Sequence, residues 1–327
     1  MSGVNLGNVP THPLDIHKIL LQDGVPKPPI LGIFVGKRGQ GKTVTATRLL
    51  HYYTHFQPEP VFQRELVFVV SPTAESQKHL WDHIGVPNEN IFAVATNTEV
   101  KSIVDNIIEL LKSKKEKYDE DQEYLEAYAI LQRGGELTAR QELILDLRDC
   151  QPLTDPEPWP RPILLLDDLS HMRVMDKAWF ISLCLRHRHV AGGVSLSILM
   201  LVQSLRGGVS RVIRQNCVLI VLYSTHDQTA KDDLYAECSH LLDKEEFMAL
   251  FEHATDQKHD FLAVDLSQDD KNKVFSRSFE HWYQINVGTS LYPDPSEQSE
   301  LQPSVHRPQP TPQRQKPRRN KKQGNKS

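Results

Sequence analysis

The stretch GIFVGKRGQGKT, residues 32–43, constrains the fold more than any other part of this sequence. Residues 30–35, ILGIFV, form a short apolar run with β-branched and aromatic members and no room for a helical period. That is the pattern of a strand buried in a parallel sheet. Gly36, four further residues, then Gly41, Lys42 and Thr43 match the P-loop spacing in every required place, and KTVTATRLLHYYTHF behind them reads as the helix the motif demands. A chance glycine-rich turn with a surface lysine has no reason to carry both flanks. The expected fold class is α/β, a P-loop NTPase with a mainly parallel central sheet flanked by helices.

The chemistry expected of this loop follows from its backbone. Glycines let the chain turn back so that amide hydrogens converge on anionic oxygen, reinforced by the positive end of the helix that follows. The expected ATP-binding residues are Gly36, Lys37, Arg38, Gly39, Gln40, Gly41, Lys42, Thr43 and Val44. Among them, Lys42 would neutralise the β- and γ-phosphates and the Thr43 hydroxyl would ligate Mg²⁺.

A second acidic element supports the first. ILLLDDLS, residues 163–170, is a Walker B arrangement: a buried strand delivering carboxylates to its C-terminal end, where open α/β sheets bind ligands. Asp167 is expected to hold Mg²⁺, directly or through water, and Asp168 to orient or deprotonate the attacking water. An Asp-Asp pair can also cap a helix, but the upstream P-loop argues against that. The next apolar run, SLSILMLVQS (195–204), ends in Gln203, the place of a γ-phosphate sensor in ATPases whose P-loop and Walker B strands are separated by another strand, the ASCE, RecA-like kind. CVLIVLYS (217–224) is a further strand. Between them, LRGGVSRVIRQN carries Arg206, Arg211 and Arg214, any of which is a candidate arginine finger reaching a neighbouring subunit's nucleotide.

The rest of the chain alternates in the same way. ELVFVVSP (65–72) reads as a strand stopped by Pro72, and residues 102–131 as a long charged helix with Ile103, Ile107, Leu110 and Leu111 on one face. Together with ELTARQELILDL this forms a helical insertion at about 101–150. CQPLTDPEPWPRP, with five prolines, is an extended connector back to the sheet. DKEEFMALFEHAT reads as a helix with Asp243 and Glu246 at capping-box spacing, and the family resemblance given below implies a closing pair of strands in DFLAVDL and VFSRSFEHWYQI.

Composition bounds the whole. The chain has 327 residues, 39% of them hydrophobic, enough for one large α/β core. No apolar run approaches the ~20 residues that span a bilayer, and the N-terminal stretch lacks the apolar core of a signal peptide, so a soluble protein made in the cytosol is expected. Cys150, Cys184, Cys217 and Cys238 form no CxxC pair and are expected to be free thiols. The net charge of −4 hides an asymmetry: from Leu301 onward there are eight Lys/Arg and no Asp/Glu. That Pro-, Gln- and Arg/Lys-rich tail cannot repay the entropy of ordering and is expected to be disordered. Its KPRRNKK segment suits phosphate-backbone contact or nuclear import, or merely solubilises the chain. The expected organisation is an N-terminal extension (1–27), a P-loop ATPase domain (28–290) and the tail (291–327).

The ordered set GKRGQGKT, LLLDDLS, RHRH (186–189), SLSILMLVQS and RVIRQN resembles the genome-packaging ATPases of the FtsK-HerA superfamily, of the type found in poxviruses, other large and mid-sized eukaryotic DNA viruses, virophages and Polinton-like elements. Over residues 28–285 the resemblance marks Lys42, Thr43, Asp167, Asp168, Arg188, His189, Gln203, Arg214 and Asn216. It implies an ATPase with Mg²⁺, a hexameric or pentameric homo-oligomeric ring, double-stranded DNA as partner, a capsid or portal protein, and Arg214 as the finger, with Arg206 and Arg211 as alternatives. It also implies a place in the host cell at the site of virion assembly, the nucleus if KPRRNKK directs import, or a cytoplasmic factory, and association with the virion. Cellular or plasmid DNA pumps of the same superfamily share this site, and a P-loop NTPase acting on a non-DNA substrate is the remaining alternative. A GTPase would need an Asn/Thr-Lys-x-Asp motif, and the sequence has none.

Overall fold

The computed structural model describes residues 25–55 and 60–284. The N-terminal extension up to residue 24, the basic tail and its KPRRNKK segment lie outside the described residues. β1 (Leu31–Val35) leads through the glycine loop into α1 (Lys42–His55), and β2 (Val67–Ser71) leads to α2 (Lys78–Ile84) and β3 (Ile91–Ala93). The insertion is α3 (Asn97–Gln132) and α4 (Ala139–Asp146). Then come β4 (Ile163–Asp167), α5 (Ala178–Arg186), β5 (Ser197–Val202), the single turn α6 (Arg211–Arg214), β6 (Leu219–Tyr223), α7 (Gln228–Cys238) and α8 (Lys244–Ala254). β7 (Phe261–Asp265), β8 (Phe275–Arg277) and β9 (His281–Trp282) close the sheet.

The nine strands run in the order β3-β2-β4-β5-β1-β6-β7-β8-β9. Pairings from β3 through to β6 are parallel and those from β6 to β9 antiparallel. β5 lies between β1 and β4, the strand order that the Gln203 argument expects. The apolar runs are continuous because both sheet faces are covered. Leu31, Ile33 and Val35 join one core with α3 and α5, while Ile30 and Phe34 join the other with α1 and α2.

Several elements differ from the sequence reading for physical reasons. α2 and β3 intervene where the reading ran straight from Pro72 to the long helix; β3 is three residues long and none of its residues is fully buried, so it carries little pattern. The buried stripe of α3 is Val100, Val104, Ile107 and Leu111, whereas Leu110 is 41% exposed. That stripe packs on the sheet; the outer half of α3 instead builds a small separate cluster with α4 through Tyr124, Ala127 and Leu145. Asp243 caps α8 by accepting from the Glu246 N–H at 2.8 Å, but the reciprocal box is found on α4, between Thr138 and Gln141. The closing pair is three strands. All four cysteines are free thiols.

Because β4 is buried on both faces, Leu165→Ala leaves a cavity that its neighbours cannot fill. We expect a loss of about 2–5 kcal/mol in a denaturant melt. Leu143→Ala, at a side chain 60% exposed, should stay within about 0.5 kcal/mol.

Candidate nucleotide site

Register puts the two motifs at one level. Leu201 of β5 pairs with Phe34 on one side and with Asp167 on the other, so the Asp167 carboxylate arrives beside the base of the glycine loop. The loop is seated on its neighbours: the Gly36 N–H donates to Val202 O at 3.1 Å. A Cβ at Gly36 would sit 2.6 Å from Gln40 Oε1 and 2.8 Å from Tyr223 Cβ, which is why this turn takes glycine. The Gln40 amide accepts from the Lys37 N–H and donates to Ser224 O, tying the loop to the end of β6. No acidic residue sits in the first turn of α1, so its positive end is left for an external anion.

Lys42 Nζ donates to Gly36 O at 2.7 Å and to Lys37 O at 3.1 Å. Burial lowers its pKa, and the charges of Asp167 and Asp168 oppose that shift. The Thr43 hydroxyl donates to Asp167 Oδ2 at 2.9 Å. Burial raises the Asp167 carboxyl, against the Thr43 hydrogen bond and the Lys42 charge, and the Gln77 side chain also hydrogen-bonds it. A buried carboxylate beside a hydroxyl is a hard oxygen pair, and its raised pKa marks a charge short of compensation. Thr43 and Asp167 therefore fit a small divalent cation such as Mg²⁺.

Asp168 follows the strand in a left-handed conformation, φ 55°. Such a backbone is uncommon for a residue other than glycine. It is held from both sides: its N–H donates to Leu201 O at 3.3 Å, and Gln203 Nε2 donates to its Oδ1 at 2.8 Å. Asp168 is thereby turned out of the strand line and tethered to the tip of β5. Lys42, Thr43, Asp167, Asp168 and Gln203 form one connected group. A cavity of about 230 Å³ opens beside it, with Gly36, Lys37, Gln203, Arg206 and Asp233 in its wall.

Other marked residues lie elsewhere. Arg188 and His189 precede β5, and Arg214 and Asn216 precede β6, so both pairs sit towards the end of the sheet opposite the P-loop. Buried His187, just before them, donates from Nδ1 to Leu196 O at 3.0 Å and braces the approach to β5. Arg214, the first choice for a finger, is engaged within its own chain. Its side chain is 9% exposed, its Nε pairs with Glu237 Oε1 at 2.7 Å and its Nη1 donates to Val209 O at 2.6 Å. It is a strut between α6 and α7. Arg206, 52% exposed, pairs with Asp233 at 2.8 Å on the rim of the cavity, and Arg211 is exposed on α6. Gln77 was missed by sequence reasoning, because it follows β2 in no recognisable spacing and reaches Asp167 only once the sheet is assembled.

No protein-family model matches the chain, and no curated protein matches its sequence. Among solved structures it is similar to the genome packaging NTPase B204 from Sulfolobus turreted icosahedral virus 2 in complex with AMPPCP, at 10% identity and TM-score 0.41 over 76% of this chain and 96% of that one. It is also similar to the pCW3 conjugation coupling protein TcpA, at 14% identity and TM-score 0.36, covering 77% of this chain and 60% of that one. A third likeness is to the cytoplasmic domain of the Thermomonospora curvata type VII secretion ATPase EccC, at 12% identity and TM-score 0.38, covering 79% and 26%.

Removing Arg214 strands Glu237, whose side chain is only 16% exposed. Arg214→Ala should therefore lower stability by about 3 kcal/mol in a chemical melt. Arg206→Ala, breaking a solvent-screened pair, should cost less than about 1 kcal/mol.

Proposed function

We propose that this chain is an ATP-hydrolysing DNA translocase of the FtsK-HerA type, packaging double-stranded viral DNA into a preformed capsid. The observation that carries the hydrolytic part is the hydrogen-bonded path from Thr43 through Asp167 on β4, and from Asp168 to Gln203 at the tip of β5. A structural role alone does not call for two adjacent carboxylates, one buried beside a lysine and the other held out of line by an amide.

In this reading the loop amides and Lys42 bind the β- and γ-phosphates. Lys42 must then exchange its bonds to Gly36 O and Lys37 O for phosphate oxygen. Thr43 and Asp167 hold Mg²⁺, which supplies charge neutralisation to the phosphates when bound. Asp168 accepts the proton of the attacking water or orients it, at a position set by the Gln203 amide. Gln203 is also the group able to register the γ-phosphate, since its amide must choose between that oxygen and Asp168 Oδ1. The finger that completes the site in a ring is Arg206 or Arg211, both exposed.

The DNA part rests on charge placement and on the resemblance of the ordered motifs. Exposed Lys37, Arg38, His171, Arg173, Arg206 and His226 all follow the C-terminal ends of β1, β4, β5 or β6, the end where the nucleotide site lies. The described body is otherwise acidic, so backbone contact would be confined to that end and repeated by each subunit of a hexameric or pentameric ring. The capsid or portal protein would be the further partner. Among the described residues no helix is long and apolar enough to cross a membrane.

The test is ATP hydrolysis by the purified chain with and without double-stranded DNA. We expect stimulation by DNA that weakens steeply as salt rises. Lys42→Ala and Asp168→Asn should each reduce hydrolysis by about 100-fold or more. Unchanged hydrolysis in both variants would sink the site assignment. Rings that form but ignore DNA would sink the translocase.

A further inference from the structure

If the proposed ATP site is right, its geometry also fixes where the nucleoside must leave. Asp168 and Gln203, the γ-phosphate end, stand over β4 and β5 on one side of β1. The other end of the nucleotide therefore runs to the opposite side, over β6 and β7 and along the first turn of α1. What waits there is the loop between α8 and β7, and in it His259.

His259 reaches the P-loop itself. A Cβ placed on Gly41 would lie 3.3 Å from His259 Nδ1, 3.7 Å from its Cβ and 3.8 Å from its Cγ. The imidazole thus lies against the residue before Lys42. His259 is exposed. It adopts φ 75°, a left-handed conformation uncommon outside glycine. Such a backbone persists only where its surroundings impose it.

The surroundings here do so. Arg277 Nη2 donates to Asp256 Oδ1 at 2.6 Å, and its Nε donates to Asp260 Oδ2 at 3.0 Å, bracketing His259 from both sides. The Asp260 N–H closes the turn onto Gln257 O at 3.2 Å, and Phe279 packs edge-on against Phe261 below it, with ring centroids 5.1 Å apart. In the first turn of α1, three residues after Gly41, Val44 is 42% exposed, a bare apolar surface next in sequence to the phosphate loop. A ring held against the P-loop in an unusual backbone by an ion-paired clamp, with an exposed valine three residues beyond the glycine it touches, has the form of a subsite.

We propose that His259 stacks on the purine base of the bound nucleotide and, with Val44, forms the nucleoside subsite of this P-loop. It touches the base and not the polyphosphate, so it distinguishes a nucleoside triphosphate from bare triphosphate. A flat, sequence-tolerant π contact of this kind also supplies affinity without demanding a fixed hydrogen-bond pattern.

Binding of Mg²⁺-ATPγS and of Mg²⁺-tripolyphosphate to the full chain, by calorimetry, tests the assignment. His259→Asn suits the same left-handed backbone and so removes the ring with little change of fold, while His259→Phe keeps a ring. We expect the Asn variant to bind ATPγS about tenfold more weakly and tripolyphosphate within twofold of the parent, and the Phe variant to bind ATPγS within about threefold. Equal weakening toward both ligands would overturn the proposal, because the ring would then act on the phosphate cradle. Unchanged ATPγS binding in the Asn variant would overturn it too, as would a Phe variant as weak as Asn. Should the parent bind neither ligand, or Lys42→Ala leave both unaffected, the ATP site itself fails and this subsite falls with it.

Discussion

The insertion of β5 between β1 and β4 is the constraint on which the rest depends. A strand hydrogen-bonded on both edges cannot shift without breaking two ladders, so Leu201 sets the height of Phe34 and of Asp167 together. The P-loop and the acidic pair are therefore two readings of one register. A slip of one residue in either ladder would turn the Asp167 side chain to the other face of the sheet and away from Thr43.

Around that frame the charged groups are held at a cost that the packing offsets. Asp167 is 3% exposed and Lys42 9%, and burial pushes the carboxyl up and the ammonium down. Each is the other's partial remedy. Neither has enough neutralising partners inside the chain, since Lys42 leans on two loop carbonyls and Asp167 on a hydroxyl and an amide. Such a site gains from binding a polyanion and a cation at once, where a fully satisfied ion pair would gain little.

How much of this could be read beforehand differs residue by residue. Lys42, Thr43, Asp167, Asp168 and Gln203 were visible because each follows a continuous apolar run, and a strand end is a place that the sequence marks. Arg214 is marked by its place before β6, but its pairing with Glu237, a residue on another helix, is announced by no local pattern. Gln77 and His259 carry no signal for the same reason, as each reaches its neighbour, Asp167 or Gly41, from a segment with no period of its own. β3 was missed because a short, half-exposed edge strand lacks the alternation that reveals longer ones. Leu110 was misplaced by one helical step: the stripe that packs begins earlier, at Val100, and a charged helix this long offers more than one plausible phase.

The ends of the sheet are as informative as its middle. β3 has three residues and β9 two, so among the described residues the sheet finishes in stubs on both sides. Edges that short offer another chain few backbone groups to pair with, which keeps a large open sheet from being extended by its neighbours. Among the described residues, then, the surface open to a second copy is made of loops and helix faces more than of strand edges. Contacts of that kind can be loosened and remade, whereas a sheet continued from one copy into the next would weld the two into a single rigid body.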